Sequence, residues 1–307
     1  MPIERIVSFL PSATELIFEL GFQDKLYGVT HECLYPINAK LKPRVIESVF
    51  DSDNLSSRQI DDKIMELMSS GKNIFKLNHD ELVNANPDLI ISQEICEVCS
   101  AHTNQVNDAI DILEHKPDVL TMNPHDIEGI LLTIMDISKK IGAAQEGEDL
   151  VGALRTRIKY IKNKNFNRRP NVLAIEWIEP FFTAGHWVPE MIELVGGKNL
   201  ISKKGERSRK MLLDEIIKID PELIILMPCG FNVERTIKEY KNILEKNSEW
   251  NSLRAVKEKK VFIVDANSFF SKPSLRTIIG IEILAKIIQP EIFNELKVPV
   301  KSYTKII

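Results

Sequence analysis

Short runs of consecutive apolar residues alternate along this chain with longer stretches whose apolar positions recur every three or four residues. The runs at 5–10, 26–29, 88–92, 119–122, 172–177, 223–227 and 261–264 predict strands. The stretches 12–20, 57–68, 103–113, 188–195, 212–219, 234–244 and 274–288 predict helices between them. Strands that are apolar at nearly every position are covered on both faces. The alternation therefore predicts an α/β chain whose parallel sheets carry helices on either side.

The pattern also repeats. Asp80-Glu81-Leu82-Val83-Asn84-Ala85-Asn86-Pro87-Asp88-Leu89-Ile90-Ile91 reads like Asp214-Glu215-Ile216-Ile217-Lys218-Ile219-Asp220-Pro221-Glu222-Leu223-Ile224-Ile225, at a constant offset of 134. A weaker echo relates residues 16–21 to 191–196. Two α/β lobes of similar design follow, over 1–122 and 166–307. Between them, Ile127, Ile130, Leu131, Ile134, Ile137, Ile141, Leu150, Leu154 and Ile158 keep helical spacing. With Pro124 in the first turn and Asn123 as cap, they predict one long linking helix over 123–165, weakest at Gly142 and Gly147, with two ordinary helices and a loop near 143–147 as the alternative.

Composition narrows the classes. The 307 residues suit about two domains. Apolar residues make up 44%, enough to exclude wholesale disorder. The net charge of −4 lacks the basic excess of a nucleic-acid binder. No apolar run reaches the ~18–20 residues of a membrane span, so membrane insertion is not expected. The first ten residues show no basic stretch, long apolar core or small-residue cleavage site. They predict a cytoplasmic protein, or an extracytoplasmic one whose signal has been removed.

In open parallel sheets, ligands bind outside the carboxyl ends of the strands. The segments following the predicted strands hold all four cysteines, two of six histidines, two of three tryptophans and five phenylalanines. This concentration predicts one functional surface, a cleft between the lobes. His31 and Cys33 lie two apart and point the same way in an extended loop. With the Cys-x-x-Cys pair Cys96 and Cys99 they offer the four N/S ligands of a tetrahedral zinc site. Small thiols packing the loops, and a redox pair, are the alternatives. Tyr35, Trp177, Phe181, Phe182, Trp187, Phe269 and Phe270 form an aromatic group suited to a flat, mostly apolar ligand, or else partly to a core. His79, His102, His115 and His125 have no partners at ligand spacing, and the basic run 203–210 reads as a solvated loop. Glycine-rich phosphate loops, the Gly-x-Ser-x-Gly turn and His-Glu-x-x-His are absent, which leaves no hydrolase or nucleotide-enzyme signature.

Several segments carry a resemblance. Arg5-Ile6-Val7-Ser8-Phe9-Leu10-Pro11-Ser12-Ala13-Thr14-Glu15, Gly28-Val29-Thr30-His31-Glu32-Cys33-Leu34-Tyr35-Pro36, the two Pro-acid-Leu-Ile-Ile strand starts, residues 180–185 and Gly196-Gly197-Lys198-Asn199 are similar to the substrate-binding proteins of ABC importers for cobalamin and iron chelates. The likeness runs over about residues 5–290 and is nearest to the cobalamin-binding branch, through the His-Glu-Cys, Cys-Glu-Val-Cys and Ala-Gly-His-Trp-Val-Pro-Glu-Met segments. It implies two Rossmann-like lobes joined by a long helix, a class III periplasmic-binding-protein-like architecture, and a non-catalytic role. It further implies that Tyr35 and Phe182 touch the ligand, with Phe269 and Asn267 near contact positions and Phe50 at a first-lobe aromatic position. The importer family's disulfide has no counterpart, because Val195 stands where its cysteine would be.

Two functions result. The first is binding of a metal chelate, a corrinoid such as cobalamin foremost, for transport through an ABC permease or for intracellular handling. Tyr35, Phe50, Trp177, Phe182, His186, Trp187, Asn267, Phe269 and Phe270 would form its site, with His31, His186 or a cysteine approaching the metal. The second is binding of a zinc-type ion by His31, Cys33, Cys96 and Cys99.

Overall fold

The computed structural model describes residues 2–95 and 103–306. The chain divides into two compact units. One comprises Met1–Asn54, Asp62–Pro124 and Glu128–Ala153; the other comprises Leu55–Asp61, His125–Ile127 and Leu154–Ile307.

The first unit is built on a six-stranded sheet of β1 (Ile6–Ser8), β2 (Leu26–Thr30), β3 (Arg44–Ser48), β4 (Phe75–Leu77), β5 (Leu89–Gln93) and β6 (Asp118–Met122) in the order β4-β3-β2-β1-β5-β6. All neighbours run parallel except β4, which lies antiparallel on β3. Every residue of β1 and β5 is buried, as central strands covered on both faces require. Val7, Phe9, Val45, Ile46, Phe75, Leu82 and Ile90 share one of its core clusters.

The second unit holds β7 (Asn171–Trp177), β8 (Phe182–Thr183), β9 (Lys198–Asn199), β10 (Leu223–Leu226), β11 (Val261–Val264) and β12 (Tyr303–Lys305). Its order is β12-β11-β10-β7-β8, with β9 also paired to β7. The three central strands are parallel, while β12 and β8 close the edges antiparallel. Its core clusters around Leu173, Ile175, Ile224, Leu226, Tyr240, Trp250 and Ile263.

All seven predicted strands and all seven predicted helices are present. Five strands escape the apolar-run criterion. β3 and β4 carry arginine, glutamate and lysine, and β8, β9 and β12 are two or three residues long. The repeat is structural as well. Helices His79–Ala85 and Leu213–Ile219 both end on a left-handed residue, Asn86 (φ 41°) and Asp220 (φ 40°), before a proline that leads into β5 or β10.

The long linking helix expected over 123–165 is instead two helices, Ile127–Ile141 and Ala144–Lys162. Gly142 breaks them at φ 86°, a conformation that glycine alone adopts without steric cost. The first helix starts three residues beyond Pro124, where the Ile127 N–H donates to Glu190 Oε2 at 2.9 Å. Arg157 on the second helix grips Glu282 with two bonds of 2.8 and 2.7 Å.

The segment Leu55–Asp61 is tied into the second unit by three bonds. Ser57 N–H donates to Glu239 Oε1 at 2.6 Å, Trp177 Nε1 donates to the Ser57 carbonyl at 3.2 Å, and Arg235 donates to the Leu55 carbonyl at 3.2 Å.

Candidate functional site

In the first unit, the loop after β2 is fixed from beneath by a chain of small polar groups. Ser8 Oγ donates to the Leu10 carbonyl at 2.8 Å and accepts from Thr14 Oγ1 at 3.0 Å. Thr14 Oγ1 also lies 3.1 Å from Cys33 Sγ, which is 3.4 Å from Thr30 Oγ1. Cys33 is 1% exposed. Its thiol is a buried loop anchor between two threonine hydroxyls. The His31 ring packs on Phe75 with centroids 5.9 Å apart, and its Nδ1 is buried with no hydrogen-bond partner among the described residues. Cys96 and Cys99 lie outside the described residues. Among the described residues no group of three or more His, Cys, Asp or Glu side chains converges to hold a metal.

Beyond this anchor the same loop turns outward. Tyr35 is 51% exposed, and Leu34, Ile37 and Leu41 are exposed beside it in sequence. Phe50, after β3, is half-buried and packs on the core.

In the second unit, the loop after β7 is organised by Glu176. One carboxylate oxygen accepts the Gly185 N–H at 3.1 Å and the other accepts from the Ser208 hydroxyl. Burial pushes the Glu176 carboxyl up, against the lowering effect of those two bonds. The basic run 203–210, expected as a solvated loop, exposes its charged side chains but pairs its backbone with residues 182–186. Thr183 N–H donates to the Arg209 carbonyl at 2.9 Å, and His186 N–H to Glu206 at 2.6 Å. Gly185 permits the approach, because a Cβ there would meet Glu206 O and Ser208 N at 2.7 Å each.

The aromatic residues divide into two groups. Trp187, Phe269 and Phe270 are 4%, 6% and 3% exposed, so they support the loops rather than offer ring faces to a ligand. Trp187 Nε1 donates to the Phe270 carbonyl at 3.1 Å. Phe181 stacks on Trp250 within the core at 5.8 Å. Trp177 and Phe182 remain half-buried. Trp177 meets Phe231 edge-on at 5.3 Å, and Lys210 Nζ lies 5.6 Å from the Phe182 ring centre. Asn267 accepts from Lys272 Nζ at 2.8 Å.

Cations over rings are a feature the sequence did not announce. Lys210 over Phe182, Arg235 over Phe231 (3.8 Å) and Arg276 over Phe269 (4.9 Å) place one such pair after each of β7, β10 and β11. Equally unannounced is the meeting of His186 with His125. Their rings lie 6.1 Å apart at 18°, and His186 also contacts Trp187 at 5.6 Å. Desolvation, then His125 and Arg207, push the His186 pKa down to about 4, so its ring is neutral at pH 7. The two residues are far apart in sequence, and no spacing rule could have paired them.

In each unit, then, these loops combine rings with fixed polar groups. A family profile described as periplasmic binding protein matches residues 6–268. The ABC transporter substrate-binding lipoprotein YvrC of Bacillus subtilis is 25% identical over 305 residues, covering 95% of this chain and 82% of its own. The vitamin B12-binding protein of Vibrio campbellii is 21% identical over 257 residues, covering 81% of each chain. The crystal structure of a periplasmic heme binding protein from Pseudomonas aeruginosa superposes with a TM-score of 0.73 at 16% identity, covering 99% of this chain and 98% of that one. These matches overturn the cytoplasmic placement expected from the first ten residues, since periplasmic binding proteins and substrate-binding lipoproteins work outside the cytoplasmic membrane.

Proposed function

The chain belongs to the periplasmic binding protein family, and on that premise we propose that it captures a metal chelate outside the cytoplasmic membrane and delivers it to an ABC permease. It is a binding protein and not an enzyme. The ligand class proposed is that of vitamin B12 and related metal chelates, which the name of the Vibrio campbellii relative supports. Within that class we propose a corrinoid, with Tyr35 and Phe50 as the candidate contacts of the first unit and Trp177, Phe182 and Asn267 as those of the second, where Trp187, Phe269 and Phe270 support the loops from below. A vitamin B12-binding relative that matches four-fifths of the chain favours the corrinoid over haem.

The observation that carries this reading is the exposed run Leu34, Tyr35, Ile37 and Leu41 in the connection from β2 to β3. Large apolar side chains held in water by an anchored loop cost free energy unless a ligand covers them. A macrocycle with an apolar face would do so. The zinc-type reading of the His31, Cys33, Cys96 and Cys99 loops is weakened by the burial of the Cys33 thiol between two hydroxyls.

The test is an absorbance titration of the purified protein with cobalamin and, separately, with haem. A saturable change with cobalamin at one equivalent is expected. A response to haem alone would replace the corrinoid with a porphyrin, and no response to either would remove the chelate reading.

A further inference from the structure

Charge is unevenly placed where the helix Ala144–Lys162 ends and the chain turns toward β7. Residues 150–175 include no aspartate or glutamate, yet 155–169 hold seven arginines and lysines, in a chain whose net charge is −4. Three of the seven are matched within the second unit: Arg157 by Glu282, Arg168 by Glu222 and Arg169 by Glu193. Lys159, Lys162 and Lys164 make no ion pair among the described residues. Arg155, Lys159 and Lys162 recur at i, i+4 and i+7, so they fall along one stripe of the helix, and all three are exposed. Lys164 Nζ lies 4.4 Å from the ring centre of Tyr160, which is itself 52% exposed. The helix dipole favours cations in the last turn, where Lys159 and Lys162 stand, but not those beyond it.

The segment is held in place. Phe166 packs on Phe293 with centroids 6.3 Å apart and covers Gly196, where a Cβ would meet its ring at 2.3 Å. Gln289 Nε2 donates to the Arg168 carbonyl at 2.7 Å and to the Gly196 carbonyl at 3.0 Å. The cations thus form a fixed platform. It adjoins the amino end of β7, about 20 Å of strand away from Trp177 at the carboxyl end.

The chemistry selects the partner. Lysine ammoniums are strongly hydrated point charges and are depleted from protein–protein interfaces. Against a diffuse layer of anionic headgroups, each cation raises affinity about fivefold without a fixed geometry. An exposed tyrosine among them suits the headgroup level.

We propose that residues 155–169 form an electrostatic contact surface for an anionic phospholipid membrane. This rests on the carrier working beside a membrane, not on which chelate it carries. On that surface the loops at the carboxyl ends of the second unit's strands face away from the lipid.

The experiment is co-sedimentation of the full chain with phosphatidylcholine vesicles that contain or lack phosphatidylglycerol, at low and high salt. Binding is expected only with phosphatidylglycerol and should weaken at least tenfold at high salt. K159Q/K162Q/K164Q should weaken it at least tenfold at low salt with Tm unchanged. K238Q/K241Q/K246Q removes the same charge from other exposed positions of the second unit and should bind as the parent does. Absence of binding to the anionic vesicles, undiminished binding in K159Q/K162Q/K164Q, or equal loss in both variants would each overturn the proposal. So would tighter binding to immobilised polyglutamate than to the vesicles, which would mark an acidic protein partner. Cobalamin and haem titrations of K159Q/K162Q/K164Q should match those of the parent. A failed chelate titration therefore leaves the vesicle result standing, and a failed vesicle experiment leaves the chelate reading standing.

Discussion

Asp88 and Glu222 stand 134 positions apart, and each carboxylate accepts the backbone N–H at the entrance to the neighbouring strand, Arg5 at 3.0 Å and Asn171 at 3.1 Å. The same helix–left-handed residue–proline–strand unit is thus tied to its sheet twice by the same bond. The partners differ: Asp88 also takes the Glu4 N–H, whereas Glu222 meets Arg168 and Arg254.

Glu222 should make the protein acid-sensitive. Burial pushes its carboxyl up, but the Asn171 N–H, Arg168 and Arg254 together outweigh this and hold it below the usual carboxylate range. A carboxyl lowered in the folded state stabilises the fold above its unfolded pKa of about 4.3 and loses that contribution as pH falls through the folded value. E222Q should lower Tm at pH 7 by several degrees, corresponding to about 1–2 kcal/mol. It should also flatten the decline of Tm below pH about 4.5. Equal acid slopes in E222Q and the parent would remove Glu222 from the account.

His186 acts in a higher window. Its pKa of about 4 lies below the ordinary histidine value because of desolvation, then His125 and Arg207. The unfolded chain therefore takes up a proton before the folded one does. Stability should be complete above pH about 6.5 and fall from there toward pH 4, by about 1–2 kcal/mol after allowance for partial exposure. With a metal chelator present, thermal melts of H186Q should lack this slope. NMR titration of the parent should place the ring's midpoint near 4.

Gly185→Ala tests the pairing of residues 182–186 with the basic run. The new Cβ would press on backbone atoms of Glu206 and Ser208 at 2.7 Å, which cannot rotate away. A loss of about 1–3 kcal/mol is expected, with faster tryptic cleavage at residues 203–210. Unchanged cleavage and Tm would show that the run yields without cost.

Tyr35 and Phe270 should separate binding from stability. Y35A removes a ring that is 51% exposed, so Tm should hold while chelate affinity falls about tenfold or more. F270A empties a site that is 3% exposed and should cost about 3–5 kcal/mol. Wild-type affinity for both cobalamin and haem in a folded Y35A protein would take Tyr35 out of the site.

Much of the fold was legible because its core strands are short apolar runs and its helices carry clear periodicity. Where polar residues enter a strand at the sheet's edge, Phe75–Leu77, or next to it, Arg44–Ser48, the apolar run is interrupted and the signal vanished. The linking helix was read too long because apolar spacing resumes after Gly142, and spacing records a face without recording a break. The site was less readable. A sequence shows that Trp187, Phe269, Phe270 and Cys33 follow strands, but burial decides whether such a residue meets a ligand or a neighbour. Glu176, the carboxylate that holds Gly185 and Ser208, was hidden as a single polar residue at the end of an apolar strand.

The allotment of Leu55–Asp61 and His125–Ile127 to the second unit bears on how the gene can be divided. A fragment starting at Leu154 would leave the buried Glu239 carboxylate without the Ser57 N–H, and the Trp177 indole without its carbonyl acceptor. Recombination that transplanted the second unit as one contiguous block would leave those groups unmatched. During synthesis, likewise, the ribosome finishes a lobe two of whose pieces were made long before the rest.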